Sequence, residues 1–321
     1  MRSFSLAIVG LILGATGLAS QSAPQEQVRP TFRAGTDLVA MTVVVHDRAG
    51  RRVEGLSPAD FELFDAGERR PIVQFSAEPA AASVAVLLDI SGSMSVGAKL
   101  AAARDAMGHL VSWLDVDKDE VAIFTFDSGL REERPFGPVT PDVAKELAPL
   151  KGFGSTSLYD AIAQVAQRAV ARPRARRVVV VLTDGVDTSS THSASEVSQL
   201  VSAIDVPVYV IAVVTPLDDP GDARRPPGGE AAESARPIET VANRTGGLFF
   251  LASAPAHASL AARQIAAELH SWYQIGFEPS RQSGWHALTL RTRRKGLLVR
   301  TRSGYVAGQI PSHEPESTNG R

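Results

Sequence analysis

Oxygen-bearing side chains follow an apolar segment at DISGSMS (89–95). Asp89, Ser91 and Ser93 are spaced two residues apart, and the apolar run 84–88 precedes them. That run is short and rich in β-branched residues, which predicts a strand covered on both faces. We expect Gly92 to supply the backbone freedom that a sharp turn from strand to helix needs. A carboxylate and two hydroxyls at such a turn indicate either a metal site or a helix cap.

Two further segments place similar side chains beside predicted strands and helices. KGFGSTSLYD (151–160) presents hydroxyls just before a helix, and TDGVDTSS (183–190) presents carboxylates after an apolar strand. The side chains concerned are those of Ser155, Thr156, Ser157, Asp184 and Asp187. In an open α/β sheet, the loops at the carboxyl ends of neighbouring strands converge. Oxygen ligands without His or Cys select a hard cation, so we expect Mg²⁺, with Mn²⁺ or Ca²⁺ as alternatives.

Apolar strands alternate with helical segments from residue 83 onward, which predicts a parallel sheet with crossover helices. The predicted strands are 83–90, 120–126, 176–184, 206–214 and 248–251. The predicted helices are 96–114, 140–150, 157–171, 193–204, 238–247 and 259–272, and 215–237 is predicted to be a mobile loop. These segments predict an α/β fold with a doubly wound, mostly parallel sheet.

Both ends of the chain have strand character, and we expect them to join in a smaller β-sandwich-like module. Neither piece alone buries enough surface to be stable. The predicted order is a signal peptide at 1–23, an N-terminal β (Ig-like) segment at 36–78, the α/β domain at 83–270, C-terminal strands at 271–307 and a disordered tail at 308–321.

Charge and the N-terminal sequence limit the function classes. A formal net charge of -2 argues against a nucleic-acid binder, which would present a basic face. Arg2 precedes the apolar stretch 6–19, and small residues follow it, as in a secretory signal peptide. That stretch is shorter than the ~20 residues that cross a bilayer, which counts against a retained anchor. We expect an exported protein, periplasmic or secreted, without disulfides because cysteine is absent.

Three motifs resemble, in order and spacing, the three parts of the metal-ion-dependent adhesion site (MIDAS) of von Willebrand factor A (VWFA) domains. They are DISGSMS, GSTSLYDAI and VVVLTDG, and the resemblance covers about 83–255. The flanking segments, which include TVVVHDRAGRRVEGL and WYQIGFEP, are similar to the VWFA-related proteins of Acidobacteria. In the second of these, Ile275 and Phe277 stand where those proteins usually have Leu and Tyr.

The resemblance implies a role for each motif residue. Ser91 and Ser93 would ligate Mg²⁺ directly, Thr156 directly or through water, and Asp89 and Asp184 through coordinated waters. A carboxylate from a partner protein would fill the remaining position, on a surface formed by the loops around Ser155, Thr156 and Asp187. Two carboxylates and a divalent ion form a nearly neutral site, which does not repel that carboxylate.

Two other hypotheses remain open. The metal could be purely structural, with the β module acting as a scaffold in the cell envelope. A metal-dependent hydrolase is the third hypothesis, and no general base of the expected kind stands near the three loops, so we expect a binding module and not an enzyme. We also expect Asp160 to tie a helix start to a neighbouring loop, and the run 291–302 to be a solvated strand face.

Overall fold

The computed structural model describes residues 38–140, 153–174, 176–215 and 236–308. The predicted signal peptide at 1–23, the helix at 140–150 beyond its first residue, nearly all of the loop at 215–237 and the tail after residue 308 lie outside the described residues. Within the described part, no helix is long and apolar enough to cross a membrane.

Fourteen strands and five α-helices make up the described part of the chain. In chain order the strands are β1 (Val39–Asp47), β2 (Phe61–Asp65), β3 (Glu68–Arg70), β4 (Gln74–Ser76), β5 (Ala82–Asp89), β6 (Glu120–Phe126), β7 (Leu130–Pro138), β8 (Arg176–Thr183), β9 (Val208–Val213), β10 (Phe249–Ala252), β11 (Tyr273–Phe277), β12 (Gly284–Thr292), β13 (Leu297–Thr301) and β14 (Gly304–Ala307). The helices are α1 (Lys99–Ser112), α2 (Leu158–Val170), α3 (Ala194–Ala203), α4 (Pro237–Thr245) and α5 (Pro255–Leu269).

A six-stranded sheet in the order β10-β9-β8-β5-β6-β7 forms the centre of the α/β part. Neighbouring strands pair in parallel except β6 and β7, which are antiparallel. Helices cover both faces, because α1 and α5 pack in one apolar core and α2, α3 and α4 pack in the other. Every residue of β5 is buried. The predicted doubly wound, mostly parallel sheet is therefore confirmed.

Strand β7 was not predicted from the sequence. It lies at the edge of the sheet, all of its residues are exposed or half-buried, and it contains Pro135 and ends at Pro138. Such a strand lacks the apolar run that identified its neighbours, and proline is tolerated at a sheet edge. Two helix starts also differ from prediction, since α1 begins at Lys99 and α5 begins at Pro255.

The chain ends combine in two four-stranded antiparallel sheets, in the orders β13-β1-β11-β4 and β14-β12-β2-β3. Strand β1 pairs with β11 and β13, and β2 pairs with β12, so each sheet contains strands from both ends. Both sheets contribute to one apolar core that includes Met41, Leu63 and Phe277. The predicted joining of the two ends is confirmed.

Two arginines connect this β module to the α/β part. Arg302, after β13, is 3% exposed and donates to the backbone carbonyls of Ser202 and Ala203, at 2.8 and 3.0 Å, and to that of Ala40. The side chain of Arg300 pairs with the buried carboxylate of Glu268 in α5. The expectation of a solvated face throughout 291–302 is wrong at these two positions, where Arg302 contacts α3 and Arg300 contacts α5.

Candidate metal centre

The carboxyl end of β5 places a buried carboxylate at one edge of the sheet. Asp89 ends that strand and is fully buried. Its Oδ1 accepts a hydrogen bond from the backbone N–H of Ser91 at 2.8 Å, and its Oδ2 accepts one from Thr183 Oγ1 at 2.6 Å. Burial raises the pKa of Asp89 to about 6, and the charge of Asp184 also raises it, although the hydrogen bonds lower it. A buried carboxylate costs free energy unless it is compensated, so this position favours a nearby cation.

The hydroxyls of Ser91 and Ser93 lie 3.1 Å apart, next to this carboxylate. Ser91 is at the N-cap position of a short 3-10 turn, Gly92–Ser95, but its side chain makes no capping hydrogen bond. The helix-cap alternative therefore gains no support at this position. Two convergent hydroxyls beside a carboxylate form a set of oxygen donors suited to a hard cation.

The three loops are numbered in chain order, the first at DISGSMS, the second at GSTSLYDAI and the third at TDGVDTSS. Glycines allow the first loop to approach the second closely. Gly92 does not adopt a positive φ, so the expected unusual backbone freedom is wrong for this residue. Its N–H instead donates to the carbonyl of Gly154 at 3.1 Å, and a Cβ at residue 92 would lie 3.4 Å from that oxygen. The left-handed residue is Gly154, with a φ of 91°, which reverses the chain just before Thr156.

Thr156 and Ser157 are the buried hydroxyl residues of the second loop. Thr156 is 4% exposed and Ser157 is 9% exposed, whereas Ser155 is exposed. The backbone N–H of Thr156 donates to Thr188 Oγ1 at 2.9 Å, and its carbonyl accepts from the N–H groups of Thr188 and Ser189. The hydroxyl of Ser157 lies 2.9 Å from that of Ser189. These contacts join the second loop to the third.

Asp184 forms a buried ion pair with Lys99. The distance from Lys99 Nζ to Asp184 Oδ2 is 2.9 Å, and both side chains are almost fully buried. Asp184 directly follows β8, and Gly185 then turns the chain with a φ of 85°. When both carboxylates are ionised, Asp89, Asp184 and Lys99 together have a net charge of minus one. A divalent cation would make that sum plus one, in contrast to the nearly neutral site expected from the sequence.

Asp187 and Asp160 hold the loops in place. Asp187 Oδ1 accepts from the N–H of Leu158, at the start of α2, at 2.8 Å. Asp160 accepts from the backbone N–H groups of Thr191 and His192 at 2.9 and 3.1 Å. The expectation that Asp160 ties a helix start to a neighbouring loop is confirmed. Asp187 caps that same helix.

The donor chemistry of the site fits a hard divalent cation. Two carboxylates and three hydroxyls come from three loops that are hydrogen-bonded to one another. Within the described ranges, no group of three or more His, Cys, Asp or Glu side chains could hold a metal ion. The oxygen donors that the structure does bring to this edge, hydroxyls and two carboxylates, suit Mg²⁺, Mn²⁺ or Ca²⁺.

Sequence reasoning missed two residues of this centre, Lys99 and Thr183. Lys99 is separated by 85 positions from its partner Asp184, so spacing alone could not connect them. The helical spacing nevertheless indicated that Lys99 is buried. It lies three residues before the buried Ala102 and four before the buried Ala103, which places it on the apolar face of α1. Thr183 lay in both the predicted strand 176–184 and the segment 183–190 but was given no role.

Comparisons with solved structures found similarity to several proteins of low sequence identity. BatB from Bacteroides thetaiotaomicron is 19% identical, with 58% of this chain and 98% of that chain covered and a TM-score of 0.45. A von Willebrand factor type A protein from Catenulispora acidiphila is 14% identical, with coverage of 86% and 75% and a TM-score of 0.47. Proximal thread matrix protein 1 from the mussel byssus, with a zinc-occupied MIDAS motif, is 16% identical, with coverage of 65% and 50% and a TM-score of 0.48.

Among curated proteins, no sequence matches this chain. The family model of the von Willebrand factor type A domain matches residues 83–258, which is more than half of the 321 residues. That range contains the whole six-stranded sheet except the first residue of β5, together with all three loops of the candidate metal centre. The chain therefore belongs to the von Willebrand factor type A (VWA) domain family.

Proposed function

We propose that this protein is a MIDAS-type binding module that holds a partner protein through a divalent cation. The residues proposed to hold the ion are Ser91, Ser93 and Thr156 through their hydroxyls and Asp89 and Asp184 through coordinated waters. Mg²⁺ is the proposed ion. When bound, it would supply one open coordination position for an oxygen ligand from the partner.

The observation that carries this proposal is the pair of convergent hydroxyls beside a buried carboxylate. Ser91 Oγ and Ser93 Oγ are 3.1 Å apart, and Asp89 is fully buried. Lys99 pairs with Asp184, so a divalent cation beside Asp89 would compensate the cost of burying the Asp89 charge. VWA domains mediate protein interactions, which fits a site at the loop edge of the sheet.

The charge of the site favours an acidic partner. The Lys99 ammonium already neutralises one carboxylate, so a bound divalent ion gives the centre a net positive charge. A carboxylate from a partner would then be attracted, with an interaction stronger than in open water because the centre is largely buried. We propose binding without catalysis. Although burial alone would raise the pKa of Asp127, another carboxylate at this edge, its hydrogen bond from Arg131 at 2.6 Å lowers that pKa and makes Asp127 a weaker general base.

Export is part of the proposal. The charged and apolar pattern at 1–23 supports secretion to the periplasm or the exterior, with removal of that segment. Fractionation of cells that express the full chain, followed by N-terminal sequencing of the mature protein, tests this. We expect cleavage near residue 23, and a full-length protein retained in the cytoplasm would contradict it.

Isothermal titration of Mg²⁺ into the metal-free protein tests the centre itself. We expect one site in the wild type and its loss in Ser91→Ala. Ser155→Ala is the matched control, because it removes an exposed hydroxyl from a neighbouring loop and should leave Mg²⁺ binding unchanged. If Mg²⁺ binds and raises the melting temperature but EDTA changes no binding to envelope proteins, the ion is structural and the β module makes the contacts.

A further inference from the structure

Each of the three loops at the candidate metal centre exposes one large apolar side chain. Val96 is 54% exposed, Phe153 is 83% exposed and Val186 is 54% exposed. Phe153 is the most exposed of the large hydrophobic side chains in the described part of the chain. A single exposed hydrophobic residue is common on protein surfaces, but three around one site indicate an interaction surface. We call Val96, Phe153 and Val186 the apolar rim.

The backbone at each rim residue is hydrogen-bonded to a loop of the centre. The N–H of Val96 donates to the carbonyl of Ser93 at 3.2 Å. The N–H of Phe153 donates to the carbonyl of Ile90 at 3.0 Å, next to Ser91. The N–H of Val186 donates to Asp184 Oδ1 at 3.5 Å, in the third loop. The rim therefore belongs to the same surface as the proposed ion ligands.

The loops that carry the rim are fixed to each other. Gly92 N–H donates to the carbonyl of Gly154, which joins the first loop to the second. The N–H groups of Thr188 and Ser189 donate to the carbonyl of Thr156, which joins the second loop to the third. A partner that reaches the centre therefore meets apolar side chains on a backbone that is already held in place, so little backbone conformational entropy is lost on binding.

Charge and apolar exposure together define the chemistry of the partner. The centre, with its ion, attracts an anion because Lys99 offsets one of the two carboxylates. The rim adds apolar surface that gains free energy when it is removed from water. A sugar or a nucleobase can stack on one aromatic ring such as Phe153, but it offers little aliphatic surface to cover Val96 and Val186 as well. A protein loop with an acidic residue between large apolar side chains satisfies both features.

We propose that the apolar rim selects partners in which the metal-binding carboxylate is flanked by aliphatic or aromatic side chains. This inference rests on the proposed function, because the carboxylate contact depends on the ion. The rim adds the specificity: an acidic loop with polar flanking residues would bind more weakly than one with apolar flanking residues.

Selection from a peptide library tests the inference. The probe is a displayed library of disulfide-closed peptides with a fixed central Asp and random flanking positions, selected on the immobilised full chain in Mg²⁺ and eluted with EDTA. We expect the eluted clones to be enriched in Leu, Ile, Phe, Trp or Met beside the Asp. Their affinity should fall about tenfold or more in Phe153→Ser, as for other aromatic contacts at interfaces, and by a smaller factor in Val186→Ser, because valine is rarely a hot spot.

Val116→Ser is the matched control. Val116 is 58% exposed, like the rim valines, but it lies between α1 and β6, at the opposite end of the sheet strands. This variant should bind the selected peptides as the wild type does. Clones eluted with EDTA that have polar or basic flanking residues, or that bind Phe153→Ser unchanged, would overturn the inference but leave the proposed function intact. A selection that yields no clone dependent on Mg²⁺ would contradict the proposed function, and the inference with it.

Discussion

Asp89 is the residue in which the requirements of stability and of metal binding are most clearly opposed. Its carboxylate is fully buried, and its two hydrogen bonds from Ser91 and Thr183 compensate only part of the cost of removing a charge from water. The raised pKa of Asp89, about 6, expresses this cost. A cation at the site would remove it.

The variant Asp89→Asn should therefore be more stable than the wild type when metal is absent. An amide has no charge to bury, and at pH 7.5 in EDTA we expect its free energy of unfolding to exceed that of the wild type by about 2 kcal/mol. Urea unfolding in EDTA and in Mg²⁺ measures the effect, and Mg²⁺ should stabilise the wild type alone. An Asn variant less stable than the wild type in EDTA would contradict this account of the site.

The ammonium of Lys99 contributes one positive charge to the centre and donates a hydrogen bond to Asp184. Replacing Lys99 can separate the effect of the charge from the effect of the hydrogen bond. Lys99→Gln keeps a donor for Asp184 but removes the ammonium, so we expect a loss of about 2 kcal/mol of stability in EDTA. Mg²⁺ should bind about tenfold more tightly, because one positive charge has left the site. Calorimetry measures both the loss of stability and the Mg²⁺ affinity, and Lys99→Arg is the control that conserves the charge. Equal or weaker Mg²⁺ binding by Lys99→Gln would rule out this electrostatic role.

At the scale of elements, helix α2 holds the second and third loops in register. Asp187 caps its first turn, and Asp160 binds the backbone of Thr191 and His192 in the loop before α3. Although burial alone would raise the pKa of Asp160, the hydrogen bonds from Thr191 and His192 lower it to about 2. The ionised carboxylate is therefore the form that stabilises the fold.

Asp160→Asn should lower the free energy of unfolding by about 1 kcal/mol at pH 7. A carboxyl whose pKa is lowered by folding stabilises the protein above its unfolded value of about 4, and this contribution is lost as the pH falls towards 2. The difference between wild type and variant, measured by urea unfolding, should therefore be smaller at pH 3 than at pH 7. A difference that stays constant or grows in acid would contradict this assignment.

The elements that the sequence predicted well are those with a local signal. Strands β5, β6, β8 and β9 are apolar and buried on both faces, and the motifs at their ends lie where an open α/β sheet places its loops. Edge strand β7 was missed because its exposed residues carry no such signal. Pairings between distant residues, such as Lys99 with Asp184, depend on the packing of a helix against the sheet and leave little trace in a single sequence.

At the scale of the whole molecule, the β module and the VWA domain share buried ionic contacts. Arg302 is nearly fully buried and lies 3.5 Å from Asp205, while Asp205 also accepts from the N–H of Thr42 in β1 at 3.1 Å. Arg300 pairs with Glu268, which accepts a hydrogen bond from Tyr209 at 2.5 Å. The two parts are therefore linked through charged groups that have little access to water.

Arg302→Met should destabilise the protein by about 3 kcal/mol, because it leaves backbone carbonyls without their donor and weakens the pairing of Asp205. Chemical unfolding measured by circular dichroism checks this. Arg293→Met is the control: the side chain of Arg293 is 52% exposed and pairs with Glu62 at 3.3 Å, so its loss should cost less than about 1 kcal/mol. Equal effects of the two substitutions would show that the buried contact does not join the module to the domain.

A crystal structure of the protein grown with Mn²⁺, with anomalous diffraction recorded near the manganese absorption edge, tests the central claim most directly. Mn²⁺ accepts the same oxygen ligands as Mg²⁺ and can be located without assumptions about the ligands. We predict an anomalous peak about 2.2 Å from both Ser91 Oγ and Ser93 Oγ, with waters linking the ion to Asp89 and Asp184. No peak at these hydroxyls at millimolar Mn²⁺ would contradict a divalent-cation centre in this VWA domain.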